Sequence, residues 1–114
     1  MFEATDAESL ITGCEARRNP YFNLVEEQSD GTVAVSKRPA KEVLRRQDAP
    51  RSFDMNGSIY VWRRDSLVNE PVVFYPSTIL YEMPPERSVD VDTELDFRIV
   101  ELLMSERDPN ELLP

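Results

Sequence analysis

Histidine is absent from this chain of 114 residues. Its absence excludes serine–histidine and cysteine–histidine nucleophile pairs, and histidine-ligated metals, formed within the chain. Cysteine occurs once, at Cys14, so no internal disulfide can form. That usage fits a reducing compartment and predicts a cytoplasmic protein. The three glycines, Gly13, Gly31 and Gly57, are too few and too scattered for a glycine-rich phosphate loop. No apolar run approaches the roughly 20 residues of a membrane helix, and no membrane partner is expected. The opening Met1-Phe2-Glu3-Ala4-Thr5-Asp6-Ala7-Glu8 lacks the basic-then-apolar pattern of a signal peptide. Positive charge is in deficit: Lys+Arg 13 against Asp+Glu 22 leaves a net charge of −9. A pI near 4.5 argues against a nucleic-acid surface, because phosphate binding depends on clustered cations.

What remains is a folding composition. The chain is 40% hydrophobic, with one Trp, four Tyr and five Phe, unlike a disordered segment. A chain of this size is one domain or part of one, and buries roughly 65% of its unfolded surface. The charge is unevenly placed. Residues 1–14 carry three anions; residues 15–64 carry ten cations against seven anions; residues 65–114 carry three cations against twelve anions. Between Lys37 and Arg51, six cations face only Glu42 and Asp48, a local +4. Eleven of the 13 cations are arginine, whose planar fork suits carboxylates and phosphates. A solvated face or a subunit contact would account for the same cluster.

Residues 1–8 read as the end of a helix. Ser9–Cys14 is a short apolar run that predicts a buried strand, broken by Arg17-Arg18-Asn19-Pro20. Tyr21–Glu26 favours strand, and Ser29-Asp30-Gly31 predicts a turn onto Thr32–Val35 as its antiparallel partner. Residues 36–55 are polar and irregular, with one helical turn expected around Lys41–Arg46. Asn56-Gly57 predicts a turn leading into a strand over Ser58–Trp62, then a short helix around Arg63–Leu67. Along that strand Ser58 and Tyr60 share one face, open to a ligand cleft or to the core, while Ile59 and Val61 face the core. Ser77–Met83 is another strand, stopped by Pro84-Pro85. The spacing of Leu95, Ile99, Leu102 and Leu103 predicts an amphipathic helix from Thr93 to about Arg107. Thr93 and Asp96 form a capping-box pattern at its start, and Pro109 stops it. Strands around a charged middle and one long closing helix indicate an α/β or α+β class, too small for a complete doubly wound sheet.

Three local patterns can carry chemistry. In Ser88-Val89-Asp90-Val91-Asp92-Thr93-Glu94, two carboxylates two apart on extended chain share a face. At about 4 Å they repel by roughly 4 kcal/mol at an effective dielectric of 20, a penalty that a divalent cation removes. Mg²⁺ commonly takes one or two carboxylates plus substrate phosphates. The same aspartates can equally cap the helix or sit in a solvated loop. Arg45-Arg46-Gln47-Asp48-Ala49-Pro50 is a loop that can present an arginine fork to an anionic ligand. Asn56-Gly57-Ser58-Ile59-Tyr60 can line a cleft.

Arg46–Pro50, then Asn56–Val61, then Ser88–Asp96 occur in this order and spacing in the acylneuraminate cytidylyltransferases, which the chain resembles over about residues 5–106. Asn19-Pro20-Tyr21-Phe22-Asn23-Leu24-Val25-Glu26 is similar to bacterial members, including those acting on legionaminic-type sugars. The resemblance implies the C-terminal part of a mixed-sheet, Rossmann-like α/β nucleotidyltransferase with a protruding β dimerisation arm over about residues 21–50. It implies a homodimer that uses Mg²⁺ to transfer CMP from CTP to a nine-carbon, sialic-acid-like keto-acid sugar, releasing pyrophosphate. Asp90 and Asp92 match the metal-binding aspartates. Arg46 matches an arginine of the sugar site and Tyr60 a tyrosine lining it; Gln47 and Asn56 lie in the matching motifs. No residue is assigned as a catalytic acid, base or nucleophile.

The chain departs from the pattern at three places. Phe22 or Asn23 stands where some members carry a sugar-binding lysine. Val72 and Val73, with Phe74 adjacent as a substrate contact, stand where some carry two phenylalanines. The half of the family that holds the phosphate loop and the cytosine pocket is absent, so Met1 reads as an internal methionine and the 1–114 segment is expected to be inactive alone. A non-catalytic dimerisation or interaction domain that keeps the fold is the alternative reading, and a glycosyltransferase fragment built on Asp-x-Asp a further one.

Overall fold

A computed structural model describes residues 1–38, 45–108 and 110. The elements are β1 (Ser9–Glu15), β2 (Val25–Glu27), β3 (Val33–Val35), β4 (Phe53–Trp62), α1 (Arg64–Asn69), β5 (Ile79–Glu82) and α2 (Glu94–Glu106), with 3₁₀ turns at Phe2–Ala4, Arg46–Asp48 and Pro85–Arg87. They form two compact units: residues 1–14 with 55–114, and residues 15–54. The class is α/β with a mixed sheet, compatible with a nucleotidyltransferase-like fold.

The first unit is built on a three-stranded sheet of order β4-β1-β5. β1 pairs parallel with β5, Leu10 opposite Ile79 and Gly13 opposite Glu82. It runs antiparallel to β4: the Arg63 N–H donates to the Glu8 carbonyl at 2.9 Å, while further along the Ile59 N–H donates to the Thr12 hydroxyl at 3.1 Å. β1 is central, and Ser9–Gly13 are all buried, as its apolar run predicts. Burying hydroxyls here requires partners. The Ser9 Oγ lies 2.7 Å from the Thr78 Oγ1 and donates to the Val73 carbonyl, and the Thr12 hydroxyl donates to the Asn56 Oδ1 at 2.6 Å. Among the described residues, Ala7, Leu10, Ile11 and Tyr75 are the buried hydrophobic side chains of the core.

Several expectations need correction. Residues 1–8 hold only a 3₁₀ turn, which the guanidinium of Arg63 fixes by lying 5.1 Å from the Phe2 ring centroid and donating to the carbonyls of Thr5 and Ala7. Asn56-Gly57 is not a turn before a strand but lies inside β4. Gly57 has φ +62°, a left-handed conformation that glycine adopts without penalty. The Thr12 hydroxyl fills the distorted ladder by accepting from the Ile59 N–H. Ile59, expected in the core, is half exposed. The helix α2 has the predicted bounds, with Thr93 as N-cap and a capping box closed by Asp96. Its stripe, however, stays outside: Leu95, Ile99 and Leu102 are exposed and Leu103 only half-buried.

The second unit holds the hairpin β2–β3, in register Val25 with Val35. The turn at Ser29-Asp30-Gly31 is as predicted, Gly31 taking φ +86° and Asp30 accepting from the N–H and hydroxyl of Thr32. Those two bonds, the hydroxyl's first, hold the Asp30 carboxyl below its usual range. The strand tendency of Tyr21–Glu26 is realised only from Val25; Tyr21–Asn23 instead form a turn tied to the Asn19 carbonyl. The helical turn expected around Lys41–Arg46 falls largely on residues 39–44, outside the described residues.

Candidate functional site

In the first unit, Asn56, Tyr60, Phe74, Asp90 and Asp92 occupy β4 and two loops. Asn56 is a junction. Its Oδ1 accepts from the Thr12 hydroxyl and from the Ser58 N–H at 3.1 Å, and its Nδ2 donates to the Ser88 hydroxyl and approaches the Met83 sulfur, both at 3.2 Å. Ser88 in turn donates to the Pro84 carbonyl at 2.9 Å. Asn56 therefore ties the central strand to the loop that carries the two aspartates. Its amide is thus engaged with protein groups.

That loop runs without regular structure from Ser88 to the bend at Asp92 and Thr93. Capping of α2 is done by Thr93 and Asp96: the Asp96 N–H donates to the Thr93 Oγ1 at 3.1 Å, and the Asp96 Oδ2 accepts from the N–H groups of Thr93 and Asp92 at 2.9 and 3.1 Å. Bonds from Thr93, and from the backbone of Asp92, hold the Asp96 carboxyl below its usual range. The side chains of Asp90 and Asp92 are exposed and make no hydrogen bond or ion pair among the described residues. Two free carboxylates are hard oxygen donors of the kind Mg²⁺ takes. No group of three or more acidic or cysteine side chains that could hold a metal occurs among the described residues. The two carboxylates fit a hard divalent cation that takes its other ligands from elsewhere, and the described residues form no closed protein cage.

Tyr60 stacks on Trp62 at 5.6 Å between ring centroids, and its hydroxyl stands over Gly57. The Trp62 Nε1 donates to the Val72 carbonyl at 2.8 Å, pinning the segment that bears Phe74. The Phe74 ring is exposed. Tyr60 and Phe74 are thus open aromatic surfaces and not core.

In the second unit, Arg46 and Gln47 belong to the 3₁₀ turn Arg46–Asp48. Gln47 lines a half-open cavity of about 410 Å³ whose described walls are residues 15–19, 23, 47 and 49–52. Two of these walls are joined by the Ala16 N–H donating to the Ser52 carbonyl at 2.8 Å. Arg51 pairs with Glu15 at 3.5 Å and lies over the Phe53 ring, 4.8 Å from its centroid. Arg17, Arg18, Asn19 and Asn23 also face the cavity. The sequence reading took Arg17–Pro20 only as a strand breaker; an arginine pair close to two asparagines was the clue it passed over.

No helix among the described residues is long and apolar enough to cross a membrane. No family model matches the chain. Curated relatives do, among them the following three. "Post-translational flagellin modification protein B" of Campylobacter coli is 48% identical over 100 residues, covering 88% of this chain and 41% of its own length. "CMP-N,N'-diacetyllegionaminic acid synthase" of Campylobacter jejuni is 48% identical over 96 residues, 84% of this chain and 40% of that protein. An "N-acylneuraminate cytidylyltransferase" of Streptococcus agalactiae is 29% identical over 96 residues, 84% of this chain and 23% of that protein. The chain spans about two fifths of the length of the first two. These identities fall on the C-terminal portion of those proteins, so the chain is similar to the C-terminal part of CMP-legionaminic acid synthases and N-acylneuraminate cytidylyltransferases.

Proposed function

We propose that this chain is the sugar- and metal-binding part of a cytidylyltransferase that moves CMP from CTP to a nonulosonic sugar of the legionaminic or sialic type. The carrying observation is the 48% identity to a CMP-N,N'-diacetyllegionaminic acid synthase over 84% of the chain. In the reaction, the anomeric hydroxyl oxygen of the sugar bonds to the α-phosphorus of CTP. The bond from that phosphorus to the bridging oxygen breaks, pyrophosphate leaves with the electron pair, and the hydroxyl proton passes to water. Such transfers depend on positioning and on stabilising phosphate charge.

Asp90 and Asp92 would hold Mg²⁺, which when bound offsets the charge of the phosphates. Asn56 fixes the loop that presents them. Tyr60 and Phe74 offer apolar faces to the sugar, and Arg46 and Gln47 supply polar contacts to it. Residues 21–50, within the second unit, serve as the contact of a homodimer. Arginine-rich chain there would place positive charge near the carboxylate of the sugar.

The test is pyrophosphate release by the full-length protein supplied with CTP, Mg²⁺ and N,N'-diacetyllegionaminic or N-acetylneuraminic acid. Turnover is expected with one of the two acids and is lost in Asp92→Asn. Turnover by Asp92→Asn at the unaltered rate would refute the metal assignment. Arg46→Ala is expected to raise KM for the sugar by roughly ten- to a hundredfold while leaving that for CTP near its original value, the scale of one charge-assisted hydrogen bond.

A further inference from the structure

The cavity of the second unit contains more binding chemistry than the resemblance assigns to it. Its volume of about 410 Å³ lies within the range of small-ligand pockets, about 300–1,000 Å³, and is far more than one phosphate needs. Its polar inventory is one-sided. The Asn19 Oδ1 accepts from the Tyr21 N–H, and the Asn23 Oδ1 accepts from the Asn19 N–H. Backbone groups thus occupy both amide oxygens, leaving the two side-chain NH₂ groups as donors. Arg17 and Arg18 make no ion pair and no hydrogen bond among the described residues, so each can present its planar fork of N–H donors to a ligand. The one carboxylate in the described lining, Glu15, is already paired with Arg51. Gln47 adds an amide without a protein partner among the described residues.

We propose that Arg17 and Arg18 bind the carboxylate of the keto-acid sugar in this cavity, with the amides of Asn19, Asn23 and Gln47 donating to its hydroxyl and acylamido oxygens. This inference rests on the proposed function and adds to it the residues that read the acid. A wall of donors with no free acceptor carboxylate selects a ligand rich in acceptors and bearing negative charge. A monocarboxylate decorated with hydroxyl and acylamido groups has that chemistry and that size. Two adjacent forks can each take a carboxylate oxygen, a geometry a lysine cannot reproduce.

The experiment titrates the 114-residue chain with N-acetylneuraminic acid, with its methyl ester, and with inorganic pyrophosphate, following the side-chain amide resonances of Asn19, Asn23 and Gln47 by NMR. The free acid is expected to shift those resonances. The ester is expected to bind about tenfold more weakly, the scale of one lost charge-assisted contact at an open site. The double variant Arg17→Gln with Arg18→Gln is expected to bind acid and ester alike, and Arg17→Lys with Arg18→Lys to recover only part of the difference.

Equal binding of acid and ester by the unaltered chain overturns the proposal without recourse to any variant, so a variant that fails to fold does not shield it. Absence of binding at tens of millimolar overturns it as well. Tighter binding of pyrophosphate than of the acid assigns the cavity to phosphate and also overturns it. Failure of the proposed function is seen separately: it is the loss of CMP transfer by the full-length protein, which this titration does not measure.

Discussion

Replacing Asn56 with alanine tests whether the loop of the two aspartates is held from the central strand. The amide makes three ordinary hydrogen bonds, with Thr12, Ser58 and Ser88, and a weak contact with the Met83 sulfur. Each ordinary bond contributes about 1 kcal/mol net. The Ser58 N–H lies exposed and can bond water instead, and Ser88 keeps its bond to Pro84. The expected loss for Asn56→Ala is therefore about 2 kcal/mol, a large share of a small domain's stability. Thr12→Val keeps shape and strand preference but removes the acceptor for the Ile59 N–H and the donor to Asn56, for a similar loss of about 2 kcal/mol. Because the 2.6 Å bond between them is counted in both single variants, the double variant should lose about 1 kcal/mol less than their sum. Urea unfolding followed by the fluorescence of Trp62, the one tryptophan, measures all four species. Additivity within about 0.3 kcal/mol, or an Asn56→Ala variant as stable as the parent, would refute the junction.

Capping and metal binding separate by stability at the start of α2: Thr93→Ala should cost about 1 kcal/mol in urea unfolding, whereas Asp92→Asn should stay within about 0.5 kcal/mol, because the cap is made by Thr93 and Asp96. The Asp96 carboxyl, held low by Thr93, gives stability that is complete above the ordinary carboxylate pKa and lost as pH falls through its lowered folded value. Circular dichroism from pH 6 to pH 2 should show helix loss at the acid end that is smaller in Asp96→Asn; an identical profile would count against the cap. Arg63→Ala should cost about 3 kcal/mol, since its guanidinium satisfies the carbonyls of Thr5 and Ala7, and Arg63→Lys should rescue only part of it. A midpoint unchanged by Arg63→Ala would mean that the Phe2–Ala4 turn is held otherwise.

The elements that the sequence determined by itself are those whose hydrogen bonds close within a few residues. Thr93 and Asp96 are three apart, so their reciprocal cap and the start of α2 are written in the chain order. Ser29-Asp30-Gly31 likewise carries its own turn, because Asp30 bonds Thr32 and glycine accepts φ +86°. The apolar run Ser9–Cys14 marks the central strand, since only a strand covered on both faces tolerates it. The motifs that carry the resemblance to cytidylyltransferases are also linear.

Tertiary structure decided what depends on groups far apart in sequence. Asn56-Gly57 has the local preference of a turn, yet a hydroxyl 44 residues away accepts its place inside β4 by bonding Asn56 and replacing a ladder partner. Arg63 reads as one cation among many until its guanidinium meets carbonyls 56 and 58 residues earlier. Arg17 and Arg18 gain a shared purpose only when the chain brings Gln47 to the same wall. The stripe of α2 is legible as apolar from its period, but its burial is not, and Leu95 and Leu102 stand in water. Periodicity reports which face of an element is apolar; only the packing of other elements against that face determines whether it is buried.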